Sequence, residues 1–164
     1  MVTINELKRF LGVDVSDTSQ DTLYTELITR AEQKIANLFG GELYLTNHTD
    51  EKHDFSKILL TKHYPIVSVE KLTVDGETLT EDEDFFVYDK YIEFYGIYST
   101  GRKSVAISYT AGFGDIPDDI DQAIILTAAN FLKINVDLQP QQFEDTRLTR
   151  EIIEILTPYL RINL

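Results

Sequence analysis

Three histidines stand among carboxylates in the middle of this chain, and they are its best candidates for chemistry. Two lie in the run His48-Thr-Asp-Glu-Lys-His53-Asp54, and the third is His63. Imidazoles beside carboxylates could hold a divalent metal and so build a small metal-dependent hydrolase. A metal needs converging side chains, however, and the run lacks the HExxH spacing that a helix would bring together. It reads as a polar loop beside strands, so no metal site is expected there. The carboxylates of Glu81–Asp84 are dense, but acid–base work needs a pocket that separates their pKa values, and no such pocket is visible in the pattern. Gly112-Phe-Gly114 lacks the Lys and Ser/Thr of a phosphate loop, and the four aspartates that follow would repel an anion. Ser56, Ser68, Ser99, Ser104 and Ser108 sit in no nucleophile elbow. With no cysteine there is no disulfide framework, zinc–thiolate site or cysteine nucleophile. The chain is therefore not expected to be an enzyme, and no catalytic residue, metal or cofactor is assigned.

Charge narrows the function further. The 164 residues carry 15 basic and 28 acidic side chains, a net charge of −13. Affinity for DNA rests on Lys and Arg neutralising phosphates, so a nucleic-acid binder is excluded. Proximity to DNA is not, because an acidic wall repels a duplex and lets it slide. The plainer reading of the same charge is a soluble acidic protein. The length suits one domain, or a helical body carrying a small β insertion. No apolar run approaches the ~20 residues of a membrane span. The first residues, MVTINELKRFLG, lack the basic-then-apolar pattern of a signal peptide and read as a helix instead. The absence of cysteine suits a cytoplasmic origin.

Four zones must position whatever function there is. The first is helical: Thr3–Leu11, with Thr3 and Glu6 as a capping box and Ile4, Leu7, Phe10 and Leu11 on one face. A polar loop, Asp14–Gln20, leads to a long helix from Asp21 to Phe39. In it Leu23, Leu27, Ala31, Ile35 and Leu38 recur at helical spacing, and Gly40–Gly41 stop it. The second zone, Glu42–Tyr109, is β-rich. It holds the runs Leu43–Thr46, Ile58–Thr61, Val67–Val74, Phe85–Tyr88, Tyr91–Tyr95 and Lys103–Tyr109. Asp75–Gly76 is a hairpin turn, and Asp89–Lys90 and Ser99–Gly101 are further turns. The third zone is a helix over Asp118–Asn135. The fourth is a loop, Asp137–Asp145, then a short helix over Thr146–Thr157 with Leu148, Ile152, Ile155 and Leu156 on one side. Pro158 ends it and leaves the tail Tyr159–Leu164. The fold class is α+β: helices from both ends form a body, with an antiparallel β-rich region inserted. As a single domain it divides into 1–41, 42–109 and 110–164.

The third helix is unusual in being apolar nearly all round. Pro117 suits its first turn, and Asp115, Asp118, Asp119 and Asp121 complement the helix dipole there. Ile116, Ile120, Ala123, Ile124, Ala128 and Phe131 make one stripe; Ile125, Ala129, Leu132 and Val136 make a second. One stripe is enough for a surface helix. Two stripes mean a central buried helix, or one face in the core and the other on a partner, and these do not exclude each other.

Taken in order, several segments resemble the phage head–tail connector family, also called adaptor or head-completion proteins. They are the N-terminal helix pair ending at Phe39–Gly41, the run His63-Tyr-Pro-Ile-Val-Ser-Val69, and Asp75–Gly76. Then come Tyr109-Thr-Ala-Gly-Phe113, Ile116-Pro-Asp-Asp119, the alanine- and leucine-rich helix, and Leu156-Thr-Pro-Tyr-Leu160. The resemblance implies a non-enzymatic subunit of a homo-oligomeric ring of about a dozen copies under the portal protein, monomeric alone in some cases. It implies a site in the virion neck, with assembly in the host cytoplasm. There the ring extends the DNA channel without binding DNA specifically, touches no membrane, and offers a surface to the downstream neck or tail-completion protein.

A ring subunit needs two unlike faces. Ile125, Ala129 and Leu132 are the candidates for one of them. Arg147, Arg150, Tyr159, Arg161 and Ile162 are the candidates for docking onto the portal, against the plainer reading of a frayed terminus. Asp75, Glu77, Glu81, Asp82, Glu83 and Asp84 are candidates for facing the channel, although a solvated acidic loop is the simpler account of them. The alternative to a connector is an acidic, non-enzymatic adaptor or regulatory binding module unrelated to virions.

Overall fold

In a computed structural model, residues 1–40, 42–98, 101–136 and 149–160 are described. They divide into two compact units. The first comprises Met1–Leu38 and Asp115–Leu164, and the second comprises Phe39–Gly114. Gly41, Ser99, Thr100, the expected loop Asp137–Asp145, Arg147, Leu148 and the tail residues 161–164 lie outside the described residues.

The first unit is helical. Helix α1 (Ile4–Leu11) begins on the expected capping box: the Thr3 hydroxyl accepts from the Glu6 amide, and the Glu6 carboxylate accepts from the Thr3 amide. Gly12 ends it in the left-handed conformation. Helix α2 (Asp21–Ala36) follows and runs into a 3₁₀ turn, Asn37–Phe39. Lys8 on α1 is 1% exposed, pairs with Asp21 at the start of α2, and donates to the Val15 carbonyl at 3.2 Å. One buried ammonium thus ties α1, the connecting loop and α2 together. Helix α3 (Asp118–Val136) touches α1, α2 and α4 (Arg150–Leu156). Ile120, Ala123, Ile124, Thr127, Ala128 and Ala129 are buried along it. Phe131 is held on the α2 side, with the Arg30 guanidinium 5.2 Å and the Lys34 ammonium 5.9 Å from its ring centre. Ile152 and Leu156 bury the inner side of α4. That helix starts four residues later than the residue pattern suggests.

The second unit is built from two antiparallel sheets. In the first the strand order is β1 (Thr46–His53), β7 (Val105–Ala111), β3 (Ile66–Val74), β4 (Glu77–Leu79). In the second it is β2 (Ile58–Leu59), β6 (Ile92–Phe94), β5 (Phe85–Val87). Strand β7 is the spine, buried at Val105, Ala106, Ile107, Tyr109 and Ala111 and paired on both sides. Asp75 and Gly76, at φ of 51° and 88°, make the expected two-residue hairpin between β3 and β4. Side chains from both sheets share one core: Leu59, Phe85, Ile92 and Phe94 meet Leu72, Val74, Val105 and Ile107.

The expected polar loop at His48–Asp54 is a correction: Thr46–His53 is strand β1, at the edge of the first sheet. Its residues alternate without being apolar because an edge strand faces water along one side. A bulge between His48 and Glu51, with Asp50 at φ 52°, resets the alternation and turns Glu51 inward. Of the expected strand at Leu43–Thr46, Tyr44 makes an isolated bridge to Phe113 and Thr46 opens β1.

The chain enters and leaves this unit through one close crossing. The Gly112 amide donates to the Pro65 carbonyl at 2.9 Å, and the Phe113 amide donates to the Leu43 carbonyl at 2.7 Å. The Phe39 ring stacks edge-on against Phe113, with centroids 5.3 Å apart. Gly112 sits at φ 111°, and a Cβ there would strike the Tyr44 carbonyl. Gly76 also has positive φ but open space around it. Gly76→Ala is therefore expected to cost about 1 kcal/mol, from backbone strain alone. Gly112→Ala is expected to cost at least about 2–3 kcal/mol, because strain and backbone collision add. Chemical denaturation of the two variants checks the order, and equal losses would contradict the crossing as described.

Candidate functional site

The β1 bulge delivers Glu51 into the second unit with 9% of its surface exposed. A buried carboxylate stays charged only when donors saturate it. Oε1 accepts from the Lys62 amide at 2.9 Å and is closely paired with His53 Nε2; Oε2 accepts from the Tyr109 hydroxyl at 2.9 Å. An ionised carboxylate only accepts, so His53 carries a proton on Nε2. The Tyr109 oxygen in turn accepts from the His63 amide at 3.2 Å. Burial works to raise the Glu51 pKa, but the bonds from His53, the Lys62 amide and Tyr109 outweigh it and lower the group from 4.5 to about 2. Burial, reinforced by Glu51, pushes the Tyr109 phenol well above its ordinary value. The cluster fastens β1, β7 and the loop before β3 to one another.

His48 and His63 were not expected to meet, yet their rings stack with centroids 3.9 Å apart and planes 5° from parallel. Glu42 completes a group in which one oxygen or nitrogen from each residue lies within 4.8 Å of the others. His53, the partner of His48 in the sequence run, is taken up by Glu51 instead. No spacing rule could have found this group, since Glu42 precedes β1, His48 lies in it and His63 follows β2.

The expected interface stripe on α3 divides. Ile125 and Leu132 are half-buried, whereas Ala129 is 3% exposed and buried within the first unit. Ala129 therefore drops out of the face expected for a partner. Among the docking candidates Arg150 is accessible, its side chain 92% exposed beside Glu154. Tyr159 is half-buried, and its hydroxyl donates to Asp119 at the start of α3, at 3.1 Å. The remaining three, Arg147, Arg161 and Ile162, lie outside the described residues. Of the acidic set, Asp75 and Glu77 are exposed at the β3–β4 hairpin, and Glu81, Asp82 and Glu83 are exposed before β5. Asp84 is structural: it accepts from the Thr80 amide at 2.9 Å and from the Tyr98 hydroxyl at 3.1 Å.

One surface was missed. On the small sheet Ile58, Leu60, Phe86, Tyr88 and Tyr95 are exposed, and Ile97 beyond β6 is 84% exposed. Phe86 and Tyr95 pack edge to face at 4.6 Å, and Tyr88 and Tyr91 stack at 4.5 Å. The alternation was legible in Phe85–Tyr88 and Tyr91–Tyr95, but both faces carry large apolar or aromatic residues, and only Glu93, registered with Ile58 and Phe86, marks the outer one.

The family model for head completion proteins matches residues 1–161. The chain belongs to the head completion protein family. This head completion protein is a structural head–tail connector subunit, as the segment order suggested. Among curated proteins none matches it significantly. Among solved structures its fold is similar to a chain in the neck of an empty GTA particle computed with C6 symmetry. The identity is 16%, the TM-score 0.63, and the match covers 99% of this chain and 91% of that one. A chain in the virion of a native gene transfer agent particle matches at 15% identity and TM-score 0.62, over 99% and 91% of the two chains. A chain in the neck of a native GTA particle computed with C12 symmetry matches at 14% and 0.55, over 87% and 84%. At such identities the likeness is one of fold, and it extends over both units of the head completion protein.

The Glu51 cluster gives the head completion protein a defined acid sensitivity. Glu51 is depressed on folding from 4.5 to about 2, so its stabilisation is complete above pH ~4.5 and is lost as pH falls towards ~2. Glu51→Gln is expected to cost about 1–3 kcal/mol at neutral pH, because an amide nitrogen would face a donor. It should also flatten the fall in stability between those two pH values. Urea midpoints measured across that range check both; a parallel fall in the two proteins would remove Glu51 from the account.

Proposed function

We propose that this head completion protein assembles as a ring of about a dozen copies in the virion neck, between the portal and the next neck or tail-completion protein. The match over residues 1–161 to head completion proteins carries the reading. The fold likeness to neck chains computed with C6 and C12 symmetry supports a closed ring. The subunit works without catalysis: Glu51, Tyr109 and His53, which would be the reactive groups, are spent on one another. DNA passes without specific binding, since a chain at −13 offers phosphates no net attraction.

Ile125 and Leu132 supply one ring contact, with Ala129 as packing behind them. Arg150, Arg147, Arg161, Tyr159 and Ile162 supply the portal contact. The exposed acidic residues Asp75, Glu77, Glu81, Asp82 and Glu83 repel the duplex if they face the channel. The aromatic face of the small sheet is an apolar patch of the kind that a partner covers.

Light scattering of the purified protein, with and without the portal of the same genome, followed by negative-stain imaging, tests the ring. A ring alone or on the portal is the expected result; a monomer that ignores the portal would favour the adaptor reading. Ile125→Asp and Leu132→Asp are expected to leave a folded subunit that no longer assembles. Unfolding would reassign that face to the core, and assembly lost only in Phe86→Asp would move the contact to the small sheet. Deletion of residues 159–164 is expected to abolish portal binding and to spare the fold, although it removes the Tyr159–Asp119 hydrogen bond and the bonds from the Tyr159 and Leu160 amides to the Leu156 carbonyl. Undiminished binding would refute the docking role.

A further inference from the structure

We propose that Glu42, His48 and His63 form a structural binding site for a divalent transition-metal ion of the zinc type, a role that goes beyond connector assembly. Three observations within the second unit converge on it. One oxygen or nitrogen from each of the three residues lies within 4.8 Å of the others. Each of the three residues also carries a ligand-capable atom that is shielded from solvent and has no hydrogen-bond partner: Glu42 Oε2, His48 Nε2 and His63 Nδ1. Buried polar atoms are otherwise almost always paired. The Glu42 oxygen stands 3.4 Å from His48 Nε2, at ion-pairing distance but with no hydrogen bond formed.

The donor set selects the ion. Two imidazoles and one carboxylate suit zinc, whose bonds of about 2.0–2.1 Å place tetrahedral ligand atoms about 3.3 Å apart. The Glu42–His48 edge already has about that length, so closure requires the His63 ligand atom to move by up to about 2 Å and the stacked rings to tilt apart. The fourth position is left to a water. The ion would join three separate segments, namely the entry segment at Glu42, strand β1 at His48 and the loop before β3 at His63. It would lie beside the Glu51–Tyr109 cluster, with the His48 ring 5.1 Å from that of Tyr109.

Calorimetric titration of the metal-free full chain with zinc chloride, and absorption spectroscopy with cobalt(II), test the site. Saturation at a single equivalent and a four-coordinate cobalt spectrum are expected, with a rise in the melting temperature when zinc is added. His48→Ala, His63→Ala and Glu42→Gln should each weaken binding by at least about 100-fold, more than the loss of an outer partner would. His53→Asn should leave it in place. Circular dichroism identifies any variant that fails to fold; for such a variant the wild-type cobalt spectrum decides instead. A six-coordinate spectrum, no saturable binding by the wild type, or binding that survives His48→Ala and His63→Ala would overturn the site. Dependence on His53 would assign the ion to the Glu51 cluster.

Discussion

A carboxylate carried into an apolar interior must find donors for both oxygens, and Glu51 finds them on three different segments. His53 lies two residues away on β1, the Lys62 amide lies in the loop before β3, and Tyr109 lies on the central strand. None of the three could be supplied without the bulge that turns Glu51 inward. The strand it anchors is an edge strand with little apolar surface of its own, so hydrophobic burial alone would hold it weakly. The charge therefore does for β1 what Val105, Ile107 and Ala111 do for β7. The same bulge changes which side chains flank His48 and brings it against His63 and Tyr109.

In the helical unit the governing constraint is different. Helix α3 is wedged among three other helices, and from residue 118 to residue 133 only Asp118, Asp119, Gln122 and Lys133 are exposed. That placement accounts for both apolar stripes without any partner, since α2 takes the Phe131 side and the remaining helices take much of the rest. What a partner can still use is the half-exposed surface of Ile125 and Leu132. Their contribution to a ring would be modest per subunit, and a closed ring multiplies it by the number of contacts that must open together.

Much of this was legible in the residues because local rules and global fold agree there. The Thr3–Glu6 capping box, the Pro117 helix start, the Asp75–Gly76 hairpin and the apolar spacing of α2 and α3 each act through neighbours in sequence. What was not legible depends on distant partners. Strand β1 reads as a loop because its apolar content is low and its ladder partner lies more than fifty residues away. Lys8 reads as a solvated residue until Asp21 and the Val15 carbonyl close over it. The pairing of His48 with His63 rather than His53 follows from the β1–β7 register, which no window of sequence contains. Ala129 was placed on a partner face because periodicity sorts residues by direction and cannot say how many helices surround them.

The charge distribution links this architecture to the connector role. Exposed Asp75, Glu77, Glu81, Asp82 and Glu83 belong to turns and loop ends of the β unit, and Asp118 and Asp119 to the first turn of α3. Each set has a local reason to be acidic, in turn chemistry and helix dipole respectively. A single copy of such turns projects a field that salt screens within about 8–10 Å. A closed ring repeats each turn around its axis, so the fields of neighbouring copies overlap across a channel whose wall excludes much of the screening solvent. Carboxylates that merely solvate a loop in the monomer would then act together as a repulsive lining. A duplex repelled by such a lining would pass according to the width of the channel rather than its own sequence.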